Sequence, residues 1–250
     1  MSIINTFDIS TEAIINPSSV VTPVEGFPKI AIGIFGERTV DVVREKYSAT
    51  QIDALYACVT MPIYKINFEG VDIAVFGCTL GGPVAVGSME EIFIKGCEKI
   101  LYVGSCGVLD REIAEAALIV PTAAYRDEGT SYHYAPSSDY IDIASASKLS
   151  TVFSGLKLPH TLGKTWTTDA FYRETRGNME KRKAEGCITV EMECASIMAA
   201  AQFRGYEAYQ FFYAADNLDE DEWDARLLGG FPQDAREKVV RISIETAVRL

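Results

Sequence analysis

Short continuous apolar runs alternate along this chain with segments whose apolar residues recur at helical spacing. Residues 29–35 read as a buried strand. Residues 63–68 and 71–76 read as two strands joined by a tight turn at Glu69-Gly70. From Met89 the apolar positions Met89, Ile92, Phe93 and Cys97 fall three to four residues apart, the interval of a helix. Residues 100–103 and 118–120 are short strands, the second stopped by Pro121. Residues 141–153 have helical spacing, 161–168 form a strand, and the polar segment 178–185 predicts a surface helix. Residues 187–190 and 208–214 are further strands. The small-residue run 195–203 is helical, and 234–250 closes the chain as a helix with Val240, Ile244 and Ala247 on one face.

This alternation predicts an α/β fold with a mixed central sheet and helices on both faces. No Gly-, Pro- or Ser-rich linker divides the chain and no internal repeat occurs, so residues 1–250 are read as one domain, residues 1–28 being its least regular part. Composition narrows the function more than the fold. Hydrophobic residues make up 48% of the chain, ample for one large core. The net charge of −12 argues against nucleic acid as a partner, because phosphate contacts need clustered Lys and Arg. No apolar stretch approaches the length of a membrane span. Residues 1–10 lack the basic and apolar regions of a secretory signal. The six cysteines, Cys58, Cys78, Cys97, Cys106, Cys187 and Cys194, form no CxxC pair and read as buried free thiols of a cytoplasmic protein. With only His133 and His160 as histidines, no metal site is expected.

Five segments carry chemistry. Val190-Glu191-Met192-Glu193-Cys194-Ala195 places two carboxylates one residue apart where a strand passes into a helix. Burying them costs several kcal/mol each unless hydroxyls or backbone N–H groups compensate. Gly104-Ser105-Cys106-Gly107 follows a strand. Its glycines allow backbone N–H groups to approach an anion, or simply make a tight strand-end turn. The 126–134 segment, from Arg126 to Tyr134, is dense in polar and aromatic groups, with His133 as a donor near a ligand or subunit boundary. In the 167–175 segment, Phe171 and Tyr172 either cover a planar base or belong to the core. Asp216 ends the 208–214 strand, where ligands bind in α/β sheets, or it caps a following helix. Neither a P-loop, a G-x-G-x-x-G fingerprint nor a G-x-S-x-G elbow occurs.

Taken in order, residues 79–83, 99–109, 126–134, 167–175, 190–195 and 214–216 resemble the nucleoside phosphorylase-I family, which includes purine nucleoside phosphorylases, uridine phosphorylases and related nucleosidases. The resemblance implies a three-layer α/β/α sandwich with a mixed, distorted central sheet. It implies Met192 and Glu193 at the ribose, with His133 as the remaining candidate for a histidine there. Phe171 and Thr175 fall at the base. Gly33 and Ser105 fall at the phosphate, with Arg38, Arg126 or Arg173 supplying its charge. Asp216 aligns with the acid that protonates purine N7. Two departures stand out. The usual G-D-P-x-R loop is replaced by Gly33-Ile34-Phe35-Gly36-Glu37-Arg38, and Tyr102 stands where the family carries an Arg. No counterpart of the Arg donated by a neighbouring subunit is found.

The implied reaction is phosphorolysis of a nucleoside, purine by preference because of Asp216, to free base and pentose 1-phosphate. Phosphate is the co-substrate and no other cofactor is expected. The missing arginines open a second reading, a phosphate-independent nucleosidase of the same fold, and a non-enzymatic nucleoside-binding protein is a third. A homo-oligomer is expected because the family completes its sites between subunits.

Overall fold

Strands covered by helices on both faces must be apolar on both faces, and the central strands here are. The computed structural model describes residues 2–56 and 60–250. After the single-turn helix α1 (Pro17–Val20) come β1 (Ile30–Phe35), α2 (Glu37–Lys46), β2 (Thr50–Leu55), β3 (Met61–Phe68), β4 (Val71–Cys78) and α3 (Gly82–Lys95). The middle of the chain forms β5 (Lys99–Val108), β6 (Leu118–Asp127), β7 (Tyr140–Asp142), α4 (Ala146–Gly155) and β8 (His160–Thr168). It closes with α5 (Arg176–Ala184), β9 (Cys187–Glu191), α6 (Cys194–Arg204), β10 (Glu207–Asn217) and α7 (Gln233–Ala247).

The strands join in one mixed sheet of order β10-β6-β8-β9-β5-β1-β4-β3-β2, with β7 on the edge of β6. A further pairing of β10 with β5 closes five of them, β5, β9, β8, β6 and β10, into a ring. The ring is the distortion that the resemblance implied. Helices α2 and α7 pack on each other and on β1, and α3 packs on α6. The core includes Ile32, Phe76, Leu101, Tyr102 and Phe211, all essentially without solvent contact.

Strand β5 forks the sheet. Along one edge it pairs with β10 over its whole length. Along the other it pairs with β1 only through Val103 and with β9 only from Gly107. Among the described residues, 104–106 therefore have no strand partner on that edge, and a cavity opens there.

Several expectations change. The Gly104-Ser105-Cys106-Gly107 segment is no turn, because β5 continues through it. Pro121 does not stop β6. The register with β8 shifts between Pro121 and Ala123, and such a bulge tolerates the missing N–H. Residues 141–153 are not one helix. Tyr140–Asp142 pairs as β7 on β6, and α4 begins at Ala146. Strand β2 and helix α2, which follows Gly36, were not foreshadowed by the apolar runs. The Glu69-Gly70 turn is present, both residues having positive φ as a two-residue hairpin requires. The five described cysteines are free, four of them buried and Cys78 half-buried. Cys58 lies outside the described residues. No helix of the described residues is long and apolar enough to cross a membrane.

Candidate active site

The cavity at the fork has a volume of about 690 Å³. It is lined by Phe35, Gly104, Ser105 and Gln210, by Val190, Met192 and Glu193 of the β9–α6 junction, and by Phe171, Glu174, Asp216 and Trp223, with Gln210 and Asp216 six residues apart along β10. Each wall follows from the fold: the open edge of β5, the β9–α6 junction, and the end of β10.

The two glutamates of the β9–α6 junction have different work. Glu191 is buried and touches the cavity, but both its carboxyl oxygens are taken up by protein donors. Its Oε1 accepts from Thr167 Oγ1 at 2.6 Å and Thr165 Oγ1 at 3.4 Å. Its Oε2 accepts the N–H groups of Glu193 and Cys194 at 2.8 and 2.7 Å. A carboxyl at the first free N–H groups of a helix is an N-terminal anchor for α6. Burial nevertheless pushes Glu191 up to about 7, against the lowering effect of those bonds. Thr167 Oγ1 also accepts the Ala195 N–H at 3.0 Å, tying β8 to the same turn.

Glu193 is the N-cap residue of α6 and lines the cavity. Its Oε1 accepts the Gly81 N–H at 2.6 Å. Gly81 has φ +100, a conformation that favours glycine, so the donor is aimed by a backbone few other residues could adopt. Burial first, and the neighbouring Glu191 second, push Glu193 up to about 8.

Asp216 reaches the cavity through a bulge. The pairing of β10 with β5 shifts between Ala214 and Asp216, and a bulge re-aims the side chain beyond it. Gly107 leaves the room: a Cβ there would lie 3.2 Å from Asp216 Oδ1 and 2.5 Å from Leu218. Trp223 Nε1 donates to Asp216 Oδ2 at 2.8 Å. Trp223 is held there by the bridge between Asn217 and Asp224, whose backbones exchange bonds of 2.9 and 3.2 Å. Burial raises the Asp216 carboxyl above the ordinary aspartate range, while the Trp223 bond and Arg226 pull it back. Glu174 stands in the same wall, raised to about 7 by burial and by the charge of Asp216.

A buried acid raised above its ordinary range, in one cavity with a glutamate whose oxygens can accept hydroxyls, suits the cleavage of a bond between a sugar and a base. Comparison with known proteins agrees. The model of the phosphorylase superfamily matches residues 29–249. The chain belongs to the phosphorylase superfamily. It is 28% identical to a guanosine phosphorylase of Halorubrum lacusprofundi over 75% of this chain and 78% of that protein. It is 24% identical to a DeoD-type purine nucleoside phosphorylase of Aliivibrio salmonicida, over 88% of this chain and 96% of the relative. A uridine phosphorylase of Salmonella typhimurium is 26% identical over 58% and 64%.

The residues that this superfamily member was expected to use divide sharply. Asp216, Met192, Glu193, Phe171 and Ser105 all line the one cavity, and Phe171 keeps 43% of its surface exposed, so it is no core ring. The arginines do not join them. Arg126 is buried in its own loop, donating to Ser131 Oγ at 2.8 Å and to Pro136 O at 2.6 Å, with its guanidinium 3.9 Å from the Tyr132 ring centroid. Arg38, exposed on α2, and Arg173, exposed beside Phe171, are both outside the lining. Gly33 is covered, since a Cβ there would meet the Tyr102 ring at 2.6 Å. Thr175 is the N-cap of α5, its Oγ1 accepting the Asn178 N–H. His133 lines a separate groove with Glu90 and Tyr134.

Sequence reading missed Glu174, Gln210, Trp223 and Arg176. Arg176 is the basic side chain of the cavity wall among the described residues, and its Nη2 donates to the carbonyls of Glu220 and Asp221 at 2.7 and 3.1 Å. Glu174 could have been found from its place immediately before the α5 cap. Gln210 carried one signal, a polar residue inside an apolar strand.

Proposed function

We propose that this chain cleaves the N-glycosidic bond of a purine nucleoside by phosphorolysis, giving the free base and a pentose 1-phosphate. The observation that carries the reading is the presence of Glu193 and Asp216, from different elements, in one cavity. The names of the relatives support phosphate as the acceptor.

In this mechanism Glu193 accepts the 2′- and 3′-hydroxyls and stabilises the electron-poor sugar as the bond stretches. Met192 packs against the ribose and Phe171 against the base. A phosphate oxygen, held at Ser105, forms the new bond to C1′ as the bond to N9 breaks. The electron pair leaves with the base, and protonated Asp216 delivers its proton to N7. Partner copies complete the assembly, so a homo-oligomer is part of the proposal. A sedimentation experiment showing monomer alone would remove that part.

One observation favours a second reading. Arg38, Arg126 and Arg173 are all outside the cavity lining, and a phosphate dianion gains most from bidentate arginines. Water would then be the acceptor and the products free base and free pentose. Inosine cleavage measured with and without phosphate separates the two: phosphorolysis requires phosphate and yields the sugar phosphate. Full activity without phosphate leaves only hydrolysis.

A further inference from the structure

The end of the cavity away from Asp216 holds a side chain with nothing to bind. Gln210 is 2% exposed, lines the cavity, and its Oε1 has no hydrogen-bond partner. An unpaired buried amide oxygen is destabilising, so its persistence in an apolar strand calls for a reason. Its register partner on β5 is Tyr102, whose buried hydroxyl is unpartnered as well, so neither satisfies the other. The Tyr102 ring fills the space over Gly33 and closes that side. What remains open is the cavity, where Gln210 shares the wall with Ser105 and Gly104.

The direction along β10 gives this end its meaning. Gln210 precedes Asp216 by six residues on the same strand, with the bulge between Ala214 and Asp216 lying between them. Displacement at C1′ brings the acceptor in on the face opposite the departing base. With the base at Asp216, the acceptor enters from the Gln210 end.

We propose that Gln210, together with Ser105, seats the acceptor oxygen that attacks the anomeric carbon, so that neutral amide and hydroxyl groups orient it in place of arginines. The inference rests on the glycosidic-cleavage reading and deepens it. The shared chemistry is an oxygen nucleophile that needs a donor and an acceptor beside it. Phosphate and water both qualify, and a change of charge at Gln210 tells them apart.

The test is steady-state kinetics of the full chain on inosine across a phosphate titration, with Gln210→Met and Gln210→Glu. If phosphate is the acceptor, Gln210→Met raises the KM for phosphate about tenfold or more while the KM for inosine stays within about twofold. Gln210→Glu sets a negative charge against the dianion and lowers phosphorolysis about a hundredfold or more. If the wild type needs no phosphate, the phosphorolysis reading fails while the seat is still tested. Gln210→Met then lowers hydrolytic kcat about tenfold at unchanged inosine KM, and Gln210→Glu raises it about threefold or more by accepting a proton from water. The proposal is overturned if Gln210→Met leaves both the phosphate KM and kcat unchanged, or if it raises the inosine KM as much as either effect. Circular dichroism of both variants separates these outcomes from misfolding. Should Gln210→Met not fold, Gln210→Glu alone decides, by opposite signs for the two acceptors or by no change at all, which overturns the seat.

Discussion

The two ends of the cavity are built from opposite materials. At the Asp216 end stand Glu174, Glu191, Glu193 and Asp216, all raised above their ordinary range with burial as the leading cause. At the Gln210 end stand Ser105 and Gln210, with Tyr102 behind them, and none carries a formal charge. A leaving base needs a proton and ribose hydroxyls need acceptors, both tasks for carboxyls. An acceptor needs orientation, and dipoles can supply it without charge. In the proposed reaction, leaving-group chemistry and acceptor choice fall to separate walls of one cavity and can change independently.

That separation can be broken most forcefully at its acidic end. Asp216→Asn cannot deliver a proton to the base, and kcat on inosine is expected to fall by ~10²–10⁴-fold. A loss of less than about twofold in a steady-state assay would remove Asp216 from its role. Glu193→Gln keeps one acceptor but loses its charge. Since charged hydrogen bonds exceed neutral ones by about 1 kcal/mol each, kcat/KM for the nucleoside is expected to drop about 10–100-fold.

The pH profile sharpens the contrast without mutation. Glu193 must be ionised to accept hydroxyls and is raised to about 8, while Asp216 must be protonated and is also raised, so kcat/KM is highest in the band between the two values and falls on both sides of it, up to tenfold per unit. A profile flat between about pH 5 and about pH 9 would contradict both assignments.

Smaller effects probe the supports. Thr167→Val removes the donor to Glu191 and the acceptor of the Ala195 N–H, and urea unfolding should show a loss of about 1–3 kcal/mol. Unchanged stability would mean that Glu191 does not anchor α6 through Thr167. Arg126→Gln is the weakest perturbation of the chemistry. It should lower stability by about 1–3 kcal/mol by stranding loop carbonyls, yet leave the KM for phosphate within about twofold. A large rise in that KM would bring Arg126 back to the acceptor.

Much of this architecture was legible before any coordinates. The apolar runs at 29–35, 63–68 and 71–76 are strands, the Glu69-Gly70 turn joins two of them, and the run from Val190 to Ala195 is the β9–α6 junction that lines the cavity. Periodicity reports which side chains leave water, and leaving water is largely a matter of near neighbours in sequence. Asp216 was visible for the same reason, as an acid at the end of an apolar strand. Tertiary structure decided the rest. Arg126 reads as a free cation, but the carbonyls of 135 and 136 fold back onto it. Gln210 reads as an oddity of a core strand, but the fork in β5 opens a cavity in front of it. Whether a guanidinium or an amide meets a ligand or its own protein depends on contacts between residues far apart in the chain, and no local pattern encodes those.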